Sequence, residues 1–191
     1  MQPSPKPKEE LAKAATAIEA MEKSHSLVEL EEHWKDFLGR IERVWFKAQA
    51  HYGKSPKWNG WKGIYEGQRS SDPLLSYLRS ARGADEHTIA EIVESQPGSM
   101  TILPGSTGSG TIRNLRIESG VVSAETTGTI KLEFKPDRIR LLPVTNRGVT
   151  YTVPTSHLGA AVDPDNVVAI AKAGVVYYEK LLHAADKFFV K

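Results

Sequence analysis

From Leu27 onward the apolar residues recur at three- and four-residue steps. Leu27, Leu30, Trp34, Phe37, Leu38, Ile41, Val44, Trp45 and Ala48 form one continuous stripe, which predicts a long helix over 27–52. Ser26 and Glu29 stand at capping-box spacing at its start, placing a side-chain acceptor over the first turn. A shorter helix is expected over 9–24, after a proline-rich polar arm. "GKSPKWNGWKG" reads as a loop by its glycines and proline. Asp72-Pro73 then supplies a cap and a first-turn proline for a third helix, expected to end near Ser95 to Gly98. Asp163-Pro164 repeats that signal before a last helix, in which Val167, Ala171, Gly174, Tyr178, Leu181, Ala185 and Phe188 are flanked by Val168, Val175, Leu182 and Phe189. A helix apolar on more than one face must be largely buried.

Between these helices the period changes. "TIRNLRIESG", "VVSAET", "GTIKLEF", "RIRLLPV" and "VTYTVP" are short runs rich in β-branched residues, separated by turn-forming residues. They predict an antiparallel meander over about 100–153, with "TNRGVT" as a hairpin turn. The glycine spacing in "PGSTGSGT" resembles a phosphate loop, but no lysine follows Gly110 and a strand pattern comes next, so it reads as a flexible entry to the insertion. The final helix needs more partner surface than a meander offers. The expected fold is therefore α+β: a four-helix bundle from 1–98 and 160–191, with the meander of 99–155 inserted between the third and fourth helices.

The third helix contains an anomaly. Leu75, Leu78, Ile89, Ile92 and Val93 mark its apolar stripe, yet Arg82 and Asp85 fall on the same stripe and Gly83 lies beside them. His87 points roughly to the opposite side of a straight helix, and Gly83 offers a place to bend, since glycine weakens a helix by about 1 kcal/mol relative to alanine. Without further information this is an Arg82–Asp85 ion pair at a bundle edge with a surface histidine beyond it.

Composition narrows the classes. The chain has no cysteine, which excludes thiolate metal sites and thiol catalysis and fits a reducing, cytoplasmic setting. No apolar run approaches the roughly 20 residues of a membrane span, and the N-terminus lacks a signal-peptide core. Net charge is +2, unevenly spread: residues 38–82 hold nine basic and three acidic side chains, whereas 83–100 hold four acids and no base. The basic segment also contains Trp45, Trp58, Trp61 and Tyr65. Such a segment can follow a phosphate backbone and stack on bases, or it can be a solvated helix face over an aromatic core. Glu29 with His33 is the one helical pair with metal-ligand spacing and reads better as exposed surface. Ser156-His157 lacks a nucleophile motif, and Tyr177-Tyr178 read as packing residues.

Arg82-Gly-Ala-Asp-Glu-His87 has the form arginine, four residues, histidine, on the third helix of a four-helix bundle. This resembles the HEPN superfamily, and "DPLLSYLRSARGADEHTI" and "VVYYEKLLHAADKFF" are similar to small bacterial HEPN-like proteins of unassigned role. A polar residue, often asparagine, commonly follows the motif arginine in that family; here it is Gly83. The resemblance implies a metal-independent endoribonuclease without a cofactor. It would be a homodimer with the motifs of two chains facing one cleft, and a toxin or phage-defence component paired with an antitoxin-like protein. Arg82 would hold the phosphate, His87 would serve as acid or base, Asp85 or Glu86 would orient it, and Arg79 would add positive charge. The other reading is a catalytically silent HEPN-like module that dimerises and binds a partner protein or nucleotide.

Overall fold

The computed structural model describes residues 2, 4–87, 92–96, 98–104, 110–118, 121–128, 130–135 and 138–190. Helices α1 (Pro5–Lys23), α2 (Leu27–Tyr52), α3 (Trp58–Ser71) and α4 (Pro73–His87) come first. Strands follow as β1 (Val93–Gln96), β2 (Ser99–Pro104), β3 (Gly110–Glu118), β4 (Val121–Gly128), β5 (Ile130–Lys135) and β6 (Arg138–Leu141). Then come β7 (Val144–Asn146), β8 (Val149–Tyr151), β9 (Ser156–His157) and β10 (Ala160–Ala161), before α5 (Val167–Phe189). The chain is a mixed α+β protein divided into two units: Met1–Ser95 with Ile139–Lys191, and Gln96–Arg138. None of the described helices is long and apolar enough to cross a membrane.

α2 begins and ends at the residues its pattern predicts. Ser26 accepts from the Glu29 amide at 3.2 Å, and the Glu29 carboxylate accepts in return from the His25 amide at 2.9 Å, so one amide inside the first turn and one just before the cap are satisfied reciprocally. Its stripe of Trp34, Phe37, Leu38, Ile41 and Val44 is buried, with Ala14, Ile18 and Met21 of α1, Leu74, Tyr77 and Leu78 of α4, and Ile170, Leu181 and Ala185 of α5. Gly174 marks a close approach: a Cβ there would lie 2.9 Å from Leu78 Cδ1 and 3.5 Å from Phe37 Cζ. Helices α2, α4 and α5 therefore meet at a residue with no side chain. α5 starts at a cap by Asn166, which accepts from Ala169 N at 2.9 Å, later than the Asp163-Pro164 signal.

The first correction is α3, which makes five helices among the described residues rather than four. Most of "GKSPKWNGWKG" is helical. Gly60, Gly63 and Gly67 together cost roughly 3 kcal/mol of helix propensity, and a residue-by-residue reading weighs that heavily. Burial outweighs it. Trp58 is 3% exposed, among Trp45, Tyr52 and Phe189 at ring separations of 5.9–6.0 Å. Arg69, also buried, pairs with Glu42 of α2.

The second correction is the end of the next helix. α4 is described as far as His87, and Val93–Gln96 form the strand β1, with Ile92 and Val93 buried there and not on a helix running to Ser95–Gly98. A short apolar run is buried equally well in either conformation, so periodicity does not separate them. The third correction concerns the strands. The pairings β3–β4, β2–β5 and β1–β6 are nested in sequence instead of following one another as a meander. Residues 105–109, the core of "PGSTGSGT", lie outside the described residues. The hairpins β7–β8 and β9–β10, the first of which the pattern assigned to the insertion, belong to the helical unit.

Candidate anion-binding site

α4 and the β7–β8 hairpin enclose a cleft of about 520 Å³. The helix contributes Arg79, Ser80, Arg82 and Gly83, the hairpin Asn146, Arg147, Val149 and Tyr151, and α2 adds Glu42. Arg79 and Arg82 are three residues apart and so are neighbours on the helix surface. Arg79 is exposed and Arg82 half-buried. Arg147 comes from the other side, at the first central position of a turn in which Asn146 pairs with Val149.

That turn has Arg147 at φ 52° and Gly148 at φ 78°, the type I′ geometry that matches the twist of a two-residue hairpin. Its first central position normally takes asparagine, aspartate or glycine. An arginine there costs on the order of 1 kcal/mol in backbone strain. The turn puts the exposed Arg147 on the wall of the cleft that Arg79 and Arg82 also line.

At Gly83 the helix surface is in contact with the hairpin. A Cβ built there would run into the side-chain amide of Asn146. Gly83 is therefore not a hinge: α4 runs through it as regular helix, and its missing side chain is the space that Asn146 fills.

The cleft is electropositive. Among the described residues that line it, three arginines stand against one carboxylate, Glu42, and both oxygens of Glu42 accept from Arg69 Nη2 at 2.7 and 2.6 Å. Arg69 also lies over the Trp45 ring at 4.3 Å. Burial works against its charge, but Tyr178 and Glu42 outweigh that and hold its pKa above the ordinary arginine value. Burial pushes Tyr178, behind it, up to about 12. Arginine presents a planar fork of donors that matches phosphate oxygens.

α4 is fixed at its N-terminus by Asp72. One carboxylate oxygen accepts from Leu75 N at 3.0 Å and from His157 Nδ1 at 2.9 Å, and the other accepts from Leu158 N at 2.6 Å. Burial alone would raise the Asp72 pKa, but the Leu158 amide, His157 and the Leu75 amide lower it below the usual carboxylate value. The ionised carboxylate assigns the Nδ1 hydrogen to His157. Further along α4, Tyr77 donates to Leu142 O at 2.8 Å.

The residues singled out by sequence divide accordingly. Arg79 and Arg82 line the cleft together. Asp85, Glu86 and His87 occupy the last turn of α4, and their side chains lie outside the described residues. Arg147, Asn146, Tyr151 and Glu42 were not anticipated. The signal for two of them was present in "TNRGVT", where an arginine takes a position that requires positive φ. Of the aromatic residues in the basic segment, Trp45 and Trp58 are buried, so they are core; Trp61 and Tyr65 are half-buried. His157 is the partner of Asp72, not part of a nucleophile motif. Glu29 is engaged in helix capping, and no cluster of three or more metal-ligating side chains occurs among the described residues.

Fold and site thus define an α+β protein with an arginine-lined cleft where a helix meets a hairpin. No family model, curated protein or solved structure matches the chain.

Proposed function

We propose that this protein is a HEPN-type endoribonuclease that grips an RNA phosphodiester in the arginine cleft and cleaves it without a metal ion. The observation that supports this most is the convergence of Arg79, Arg82 and Arg147 on one cleft, with Arg82 being the arginine of the motif. Arginines are the groups needed where negative charge builds on phosphorus. The reaction requires no external reagent. The 2′-oxygen attacks phosphorus as its proton passes to a base, the bond from phosphorus to the 5′-oxygen breaks, and that oxygen takes a proton. The products are a 2′,3′-cyclic phosphate and a 5′-hydroxyl. His87 fills the acid–base role, since imidazole exchanges protons near neutrality. Positions 82 and 87 lie about 140° apart around a straight helix, so in this reading a second copy supplies the histidine to each cleft.

One observation favours the catalytically silent reading. The position after Arg82 is a glycine shaped by packing against Asn146, not the polar side chain common in the family. In that case the cleft binds a nucleotide or an acidic partner and the histidine is idle.

One assay separates the two: incubation of a structured RNA with the protein in excess EDTA. The endoribonuclease reading predicts cleavage with cyclic-phosphate ends, lost by at least a hundredfold in His87→Ala, with the thermal midpoint little changed. RNA that is retained by the protein but never cut would leave the binding module as the function.

A further inference from the structure

A second recess of about 340 Å³ adjoins the arginine cleft and shares two of its walls, Arg79 and Glu42. Its other lining residues are Trp45, Phe46, Glu66 and Arg69. Trp45, Arg69 and Glu42 are buried and mutually engaged, so they form a rigid floor. Phe46 is different, because 54% of it is exposed. It lies four residues beyond Glu42 on α2 and hence on the same side of that helix.

The two recesses differ in charge as well as shape. The first is lined by three arginines. The second carries the Glu66 carboxylate, whose Oε1 accepts from Lys62 Nζ at 2.9 Å, and a solvent-facing aromatic ring. A carboxylate repels phosphate, whereas an exposed phenyl ring on a firm base takes the flat face of a nucleobase. Phosphate in one recess with the attached base in its neighbour follows the order of groups in a nucleotide.

We propose that Phe46 is a stacking residue for the base of single-stranded RNA whose phosphate sits among Arg79, Arg82 and Arg147. The inference rests on the RNA reading of the cleft and adds a contact to the base. It makes the preferred ligand an unpaired nucleotide, because a base held in a helix cannot offer its face to Phe46.

The test compares fluorescence anisotropy of a labelled short oligocytidylate with that of a ribose–phosphate strand of equal length lacking bases. The intact protein should bind the base-bearing strand roughly five- to a hundredfold more tightly, the range for one stacked base. Phe46→Ala should bring the two affinities together by weakening only the base-bearing strand, and Phe46→Trp should keep the preference. Equal binding of both strands by the intact protein, a preference that survives Phe46→Ala, or equal weakening of both strands would each overturn the stacking role while leaving the arginine cleft intact. Failure of both strands to bind at all would overturn the cleft reading together with this one.

Discussion

Arg147 and Gly83 each occupy a position where its side chain, or lack of one, is the exception to local preference. An arginine held at φ 52° is strained, and a glycine inside α4 weakens it by about 1 kcal/mol; both exceptions face the same cleft. Gly83→Ala separates packing from ligand binding. The added methyl must displace the Asn146 amide, which is the far end of a flexible side chain, while the helix gains about 1 kcal/mol of propensity. The expected result is a thermal midpoint held or raised slightly and RNA affinity reduced. A midpoint lowered as by an overpacked core, about 1–3 kcal/mol, would show that the Gly83–Asn146 contact serves folding alone. From sequence, Arg82 and Gly83 were recognisable as an irregularity in the apolar stripe of α4. Asn146 was not, because nothing in a linear pattern states which hairpin a helix surface will touch.

α4 holds the site because its first turn is fixed by Asp72, with three hydrogen bonds to one carboxylate, two of them from β9 and the residue after it. Asp72→Asn presents an amide hydrogen where one of those donors already points, at an expected cost of about 1–3 kcal/mol at neutral pH. The sign with pH follows from the lowered pKa. The carboxylate stabilises the fold above its unfolded value near 4, and that contribution is lost as pH falls through the lower folded value. The gap between native protein and variant, measured by urea titration, should therefore be full at pH 7 and close below about pH 4. A gap independent of pH would contradict the ionised cap. The Asp-Pro signal marking this cap was readable, as were α2 and its capping box, because such signals are local. α3 was hidden by its own glycines, since it is held by Trp58 and the Arg69–Glu42 pair across a long stretch of chain. The nested strand order was hidden for a related reason: alternation identifies strands but not their partners.

Every described residue that lines the cleft and the recess beside it belongs to the helical unit. The α+β class was thus legible from the change of period along the chain, while the site depends on α4 and a hairpin some sixty residues later being brought together. The expected excess of positive charge in 38–82 does reach that site through Arg79 and Arg82, and Arg147 joins them from outside the segment. The central claim is that these three guanidiniums hold RNA phosphates, and the salt dependence of binding tests it most directly. The logarithm of the affinity for a single-stranded RNA should fall linearly with the logarithm of salt concentration, and Arg82→Ala and Arg147→Ala should each reduce the slope by about 0.7. RNA affinity independent of salt, or slopes unchanged in both variants, would contradict it.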